Sequence, residues 1–92
     1  KLAEHNWALT AHLDAVGALG QPVLYAASRK AFLGRVGRPA TAEPRPVLQR
    51  DVATAATSVL AAQAGVWAVR VHDVHGTRDA LDVLAATTGA RT

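Results

Sequence analysis

Two short apolar runs each end in a cluster of polar and cationic side chains, and each is followed by a helix-like segment. The first run, residues 23–27 (Val-Leu-Tyr-Ala-Ala), leads into Ser28-Arg29-Lys30. The second, residues 66–71 (Val-Trp-Ala-Val-Arg-Val), leads into His72-Asp73. Few folds accept this arrangement. In α/β folds, ligands gather at the C-terminal ends of strands, and cationic groups placed there point to an anionic ligand.

The segments between the runs read as helices. Over residues 4–19, Leu9, Leu13 and Val16 fall on one stripe, with Leu2 a heptad before Leu9. Gly20 and Pro22 end that segment. Residues 34–50 hold three prolines and two glycines. They are expected to form a long, irregular connection, either functional or mobile. Asp51 is placed as N-cap of an alanine-rich helix over 52–64, closed by Gly65. Thr77 is placed as N-cap of a last helix over 78–87, with Leu81 and Leu84 inward and Gly89 as its stop.

The order helix-strand-helix-strand-helix predicts an α/β fold with parallel strands joined by right-handed crossovers. Nearly continuous apolar strands fit a sheet covered on both faces. Two parallel strands alone leave unpaired edges. The chain is therefore expected to be part of a larger sheet or barrel, or to associate with another copy.

Composition removes several classes. The 92 residues contain no cysteine, which excludes a disulfide framework and fits a reducing cytoplasm. No apolar stretch reaches the roughly 18–20 residues that span a bilayer. The start has no signal-peptide block, and the absence of methionine suggests an internal cut there. Lys and Arg exceed Asp and Glu by ten to seven. With four scattered aromatic residues, this does not describe a nucleic-acid surface. Six of the cations fall in residues 29–50 against Glu43 alone, and a small anionic ligand is the simpler reading.

Side chains alternate faces along a strand. Leu24, Ala26 and Ser28 share a face, and Lys30 continues it. Val66, Ala68, Arg70 and His72 share another. If both sets lie on one side of one sheet, Ser28, Lys30, Arg70 and His72 converge at one rim. Arg suits a phosphate or the flat of a ring, Lys a carbonyl or ring-nitrogen acceptor, and His and Ser an anion. No carboxylate pair or Ser-His-Asp order supports hydrolysis. His72 and His75 have opposite parity, which argues against a metal between them. The plainer alternatives are a solvated loop at Ser28-Arg29-Lys30 and an Arg70–Asp73 ion pair.

Two motifs carry a family resemblance. Residues 22–34, through Ser28-Arg29-Lys30-Ala31-Phe32-Leu33-Gly34, resemble the Ser-Arg-Lys segment of dihydropteroate synthases. Val69-Arg70-Val71-His72-Asp73-Val74 resembles the Arg-Val-His-Asp segment of the same family, and Glu4-His5-Asn6 is similar to its helix opening. The resemblance implies the C-terminal portion of a TIM (β/α)8 barrel: helix 6, strand 7, helix 7, strand 8 and helix 8. Residues 1–92 would then be one fragment of a pterin-binding barrel domain.

The resemblance further implies a transferase of folate biosynthesis. It joins 4-aminobenzoate to 6-hydroxymethyl-7,8-dihydropterin diphosphate, releasing diphosphate, with Mg²⁺ held outside this chain. Carried over, Lys30, Arg70, Val71 and His72 hold the pterin and diphosphate, and Ser28 and Arg29 lie on the aminobenzoate side. The remaining pterin contacts would lie on earlier strands, so the isolated chain is expected to be inactive. A cytoplasmic homodimer is implied for the full-length protein. The alternatives are a pterin- or folate-binding methyltransferase-type barrel and an inactive paralogue or fragment.

Overall fold

The computed structural model describes residues 3–18, 20, 22–39 and 41–90. In chain order these form helix α1 (Ala3–Ala11), helix α2 (Leu13–Gly17), strand β1 (Leu24–Tyr25) and helix α3 (Ala31–Gly34). A 3₁₀ turn at Val47–Gln49 then precedes helix α4 (Asp51–Gln63), strand β2 (Ala68–Val69) and helix α5 (Val74–Ala90).

The single helix predicted over 4–19 breaks at His12 (φ −115°, ψ 24°). The Nδ1 atom of His12 lies 2.8 Å from the Ala8 carbonyl oxygen, and a side chain on that oxygen competes with the backbone ladder. The His12 amide is shared between the Ala8 and Leu9 carbonyls, 3.2 Å from each. Leu13 is buried, while Leu9 and Val16 on the same stripe stay exposed. Leu2 lies outside the described residues.

Strands β1 and β2 pair in parallel, with Leu24 opposite Ala68 and Tyr25 opposite Val69. The Trp67 amide donates to Val23 O and the Arg70 amide to Tyr25 O, both at 2.9 Å, which lengthens the ladder. Both strands are nevertheless shorter than the runs that predict them. Nor are both faces covered. Tyr25 turns toward the helices, where its hydroxyl meets Thr10 Oγ1 at 2.8 Å. Leu24, on the opposite face, is 57% exposed.

The core lies on the helix side of the sheet. Ala27, Phe32 and Leu33 form a buried cluster, with Tyr25 and Ala53 packed on it. Trp7 meets Phe32 edge to face, ring centroids 4.9 Å apart. Burial of Phe32 and Leu33 contributes about 2–3 kcal/mol each and seats α3 directly after Lys30. Helix α4 packs most extensively against α5. Thr54, Thr57, Ser58 and Ala61 are the buried residues of α4. The Thr57 and Ser58 hydroxyls donate back to Thr54 O, at 2.8 and 3.1 Å.

Helix α5 starts at Val74, earlier than predicted, because Asp73 and not Thr77 caps it. Asp73 Oδ1 accepts the Gly76 amide at 3.1 Å. A Cβ on Gly76 would collide with that carboxylate. Thr77 is buried inside the helix, its hydroxyl without a partner. Gly89 lies within the helix and does not stop it.

Among the described residues between α3 and α4, arginines reach carbonyl oxygens. Arg35 Nη1 reaches Ala42 O at 3.1 Å, Arg45 Nη1 reaches Val36 O at 2.6 Å, and Arg50 Nε reaches Arg45 O at 2.8 Å. The positive charge read from sequence as a sign of an anion is here largely a set of loop supports. Gly34 lets the loop come close: a Cβ there would lie 2.8 Å from Arg50 Nε and 3.0 Å from Pro44 Cβ.

Candidate functional site

The two motif segments meet at the C-terminal ends of the paired strands. Parallel partners share a face, so Leu24 opposite Ala68 puts the two predicted sets on the same side. Continuing that register brings Ser28 opposite His72. The Ser28 hydroxyl lies 2.6 Å from His72 Nδ1 and accepts the His72 amide at 3.1 Å.

A tight turn carries Ser28, Arg29 and Lys30 out of β1. The Lys30 amide donates to Ala27 O at 3.1 Å. Arg29 takes φ 59°, the left-handed region, which costs a residue with a Cβ about 1–2 kcal/mol. The first turn of α4 and the residue before it hold that conformation. The Arg29 amide donates to Thr54 Oγ1 at 3.1 Å. The Arg29 carbonyl accepts Arg50 Nη1 at 2.8 Å. The Arg29 guanidinium grips Asp51 with both prongs, Nε to Oδ1 at 2.8 Å and Nη2 to Oδ2 at 3.1 Å.

Asp51 is the first residue of α4 rather than its cap; the cap position falls to Arg50, which makes no side-chain cap bond. Its negative charge still suits a helix N-terminus. The Arg29 hydrogen bond holds the Asp51 carboxyl below the usual carboxylate range, against desolvation, with the charges of Arg29 and His72 adding to the effect. The same hydrogen bond raises the Arg29 guanidinium.

Two open hollows flank the strand ends. One, of about 360 Å³, is lined by Lys30 with Asn6, Thr10, Leu24 and Tyr25 among others. The second, of about 510 Å³, is lined by Arg70 and Val71 with Leu24, Val74 and Arg78 among others. Leu24 walls both. Lys30, Arg70 and His72 are exposed. Asp73, the candidate partner for Arg70, is used as the cap of α5. Arg29 lines neither hollow.

Ser28 and His72 are thus brought into contact, Lys30 and Arg70 edge adjoining hollows, and Val71 lies beside Arg70. The supports Arg50, Asp51 and Thr54 were missed as such. Their signal is the i, i+4 spacing of Arg50 and Thr54 at the start of a helix, which puts both on one face.

The pattern of the pterin binding enzyme family matches residues 1–72, which takes in the first motif whole and the second as far as His72. The chain belongs to the pterin-binding enzyme family. A dihydropteroate synthase of Mycobacterium leprae (strain TN) is 50% identical to it over 86 residues, 94% of this chain and 30% of the relative.

Among solved pterin-binding structures, the Xanthomonas albilineans dihydropteroate synthase in complex with 7,8-dihydropteroate superposes with a TM-score of 0.84. It is 40% identical, and the match covers 96% of this chain and 32% of that one. The Thermus thermophilus dihydropteroate synthase in complex with 4-aminobenzoate gives 0.81 at 41% identity, covering 94% of this chain and 32% of that one. The chain thus spans about a third of the length of such relatives. The resemblance to dihydropteroate synthases holds, and the fold is a portion of a (β/α)8 barrel whose element order fits the C-terminal part.

Proposed function

We propose that residues 1–92 form the C-terminal part of a pterin-binding barrel that joins 4-aminobenzoate to 6-hydroxymethyl-7,8-dihydropterin diphosphate. The contact between Ser28 and His72 carries this reading, because it makes one rim of the two motif segments. In the reaction the arylamine nitrogen attacks the pterin methylene carbon. The bond from that carbon to the diphosphate oxygen breaks, and the amine gives up one proton. Products are 7,8-dihydropteroate and diphosphate.

Lys30 donates to the pterin ring. Arg70, beside Val71, flanks the ring and with His72 donates to the departing diphosphate. One well-placed donor to developing negative charge contributes about 3 kcal/mol to the barrier. Ser28 stands at the aminobenzoate side. Arg29 serves that side by setting the turn, its guanidinium kept on Asp51. Among the described residues, no three His, Cys, Asp or Glu side chains converge as a metal site. The ligand for Mg²⁺ is expected outside this chain, and no step is routed through it. A homodimer in the cytoplasm comes with the same reading. Among the described residues, no helix is long and apolar enough to cross a membrane.

The test is the complete barrel carrying this chain, supplied with pterin diphosphate and 4-aminobenzoate. Diphosphate release that depends on the arylamine is the expected result. Methyl transfer from a reduced folate without diphosphate release would support the methyltransferase alternative. Absence of both would mark an inactive paralogue.

A further inference from the structure

We infer that Ser28 is a positioning residue for His72: its hydroxyl sets the imidazole with Nδ1 as acceptor and offers Nε2–H to an anion. The inference rests on the reading above, in which His72 faces the diphosphate, and deepens it by assigning the tautomer.

The assignment rests on three atoms. The His72 amide can only donate, and it points at Ser28 Oγ at 3.1 Å. That uses one lone pair of the hydroxyl oxygen. His72 Nδ1 lies 2.6 Å from the same oxygen. A neutral imidazole carries one N–H and one bare nitrogen. If Ser28 donates its hydrogen to a bare Nδ1, every polar atom of the trio is used and the ring hydrogen sits on Nε2. If Nδ1 held the hydrogen, Oγ would accept twice, and Nε2 would face the anion with a lone pair. The first arrangement suits an anionic ligand and the second repels it.

The two bonds also fix the ring in space. The amide of His72 and its own side chain close on one oxygen, so neither χ1 nor the ring plane is free to drift. His72 is exposed while Ser28 is half-buried, which leaves the far edge of the ring open to a ligand. The charged groups around it are Asp51, Arg29, Arg70 and Asp73. Of these, the Asp51 carboxylate feels the charge of His72.

A second consequence follows for Ser28 itself. A hydroxyl has one hydrogen. While it is given to His72, Ser28 meets the aminobenzoate side only as an acceptor. Its contribution to catalysis then passes through the pterin diphosphate rather than through direct donation to the arylamine substrate.

The test uses the complete barrel with ¹⁵N-labelled histidine. Long-range ¹H–¹⁵N spectra of the neutral enzyme should show His72 with its hydrogen on Nε2 and a bare, hydrogen-bonded Nδ1. In Ser28→Ala the two nitrogens should move toward averaged positions. Loss of this hydrogen bond should raise KM for pterin diphosphate about tenfold, with Ser28→Thr restoring most of the loss. Ser28→Ala added to His72→Ala should change KM by less than about twofold, because a pair acting as one unit is not additive.

A hydrogen found on Nδ1 in the wild-type barrel would overturn the assignment. So would a Ser28→Ala effect confined to KM for 4-aminobenzoate and fully additive with His72→Ala. A barrel that turns over neither substrate yet carries the hydrogen on Nε2 would sink the condensation reading while keeping the assignment of Ser28.

Discussion

Ser28 Oγ lies 2.6 Å from His72 Nδ1, although 44 residues separate the two in the chain. The separation equals the offset of the strand pairing, Leu24 with Ala68 and Tyr25 with Val69. A slip of one residue would set Ser28 opposite Val71 or Asp73 and turn His72 to the other face. The site therefore depends on register as much as on its residues.

Lys30 and Arg70 are exposed at the rim, so their loss removes ligand contacts and little of the fold. In the complete barrel, Lys30→Ala and Arg70→Ala should each lower kcat/KM for the condensation by about a hundredfold or more. Circular dichroism should be unchanged. Steady-state kinetics decides the matter, and full turnover in both variants would refute the assigned roles.

Arg29 combines a left-handed backbone with an ion pair. Both Arg29→Gly and Arg29→Ala lose the pair, but only glycine adopts φ 59° without steric cost. Arg29→Ala should be less stable than Arg29→Gly by about 1 kcal/mol. Comparison of urea midpoints of the two variants measures this. Equal midpoints would show that the turn relaxes.

Thr54 is buried, donates to Arg50 O at 2.9 Å and accepts the Arg29 amide at 3.1 Å. Thr54→Val keeps the shape but strands that amide, which should cost about 1–3 kcal/mol. Thr54→Ser keeps the oxygen and should lose less. Thermal unfolding of the two variants provides the comparison.

Asp51 titrates lower folded than unfolded, owing first to the Arg29 hydrogen bond. Such a group stabilises above the ordinary Asp value of about 3.9, and the contribution is lost as pH falls through the lower folded value. The pair is partly exposed to solvent, so the effect is small. Stability measured against pH should fall less steeply in Asp51→Asn than in wild type below about pH 4. Identical acid limbs would mean the pair contributes nothing.

Much of the architecture was legible in the sequence. Alternation of helix and strand followed from apolar periodicity and Gly/Pro punctuation, and parity placed Ser28 and His72 on a common face. Local competition was harder to read. The break at His12 depends on its ring reaching the Ala8 carbonyl. Asp73 and Thr77 are both good caps, and the end of β2 rather than either side chain decides between them. The left-handed Arg29 has no sequence mark, because only its neighbours in α4 and just before it hold it there. Composition counts the arginines of 34–50 but says nothing of what they touch.

Those arginines have an effect beyond holding the loop. A carbonyl oxygen carries no net charge, so the bonds from Arg45 to Val36 O and from Arg50 to Arg45 O hold the loop without neutralising either guanidinium. Arg50 sits against the turn that presents Lys30. Arg50 thus adds positive potential beside the rim and speeds the approach of an anion that it need not touch. Such long-range steering decays over roughly 10 Å at 0.1 M salt. Capture of the ligand should slow with ionic strength more steeply than the few groups in contact with it would account for.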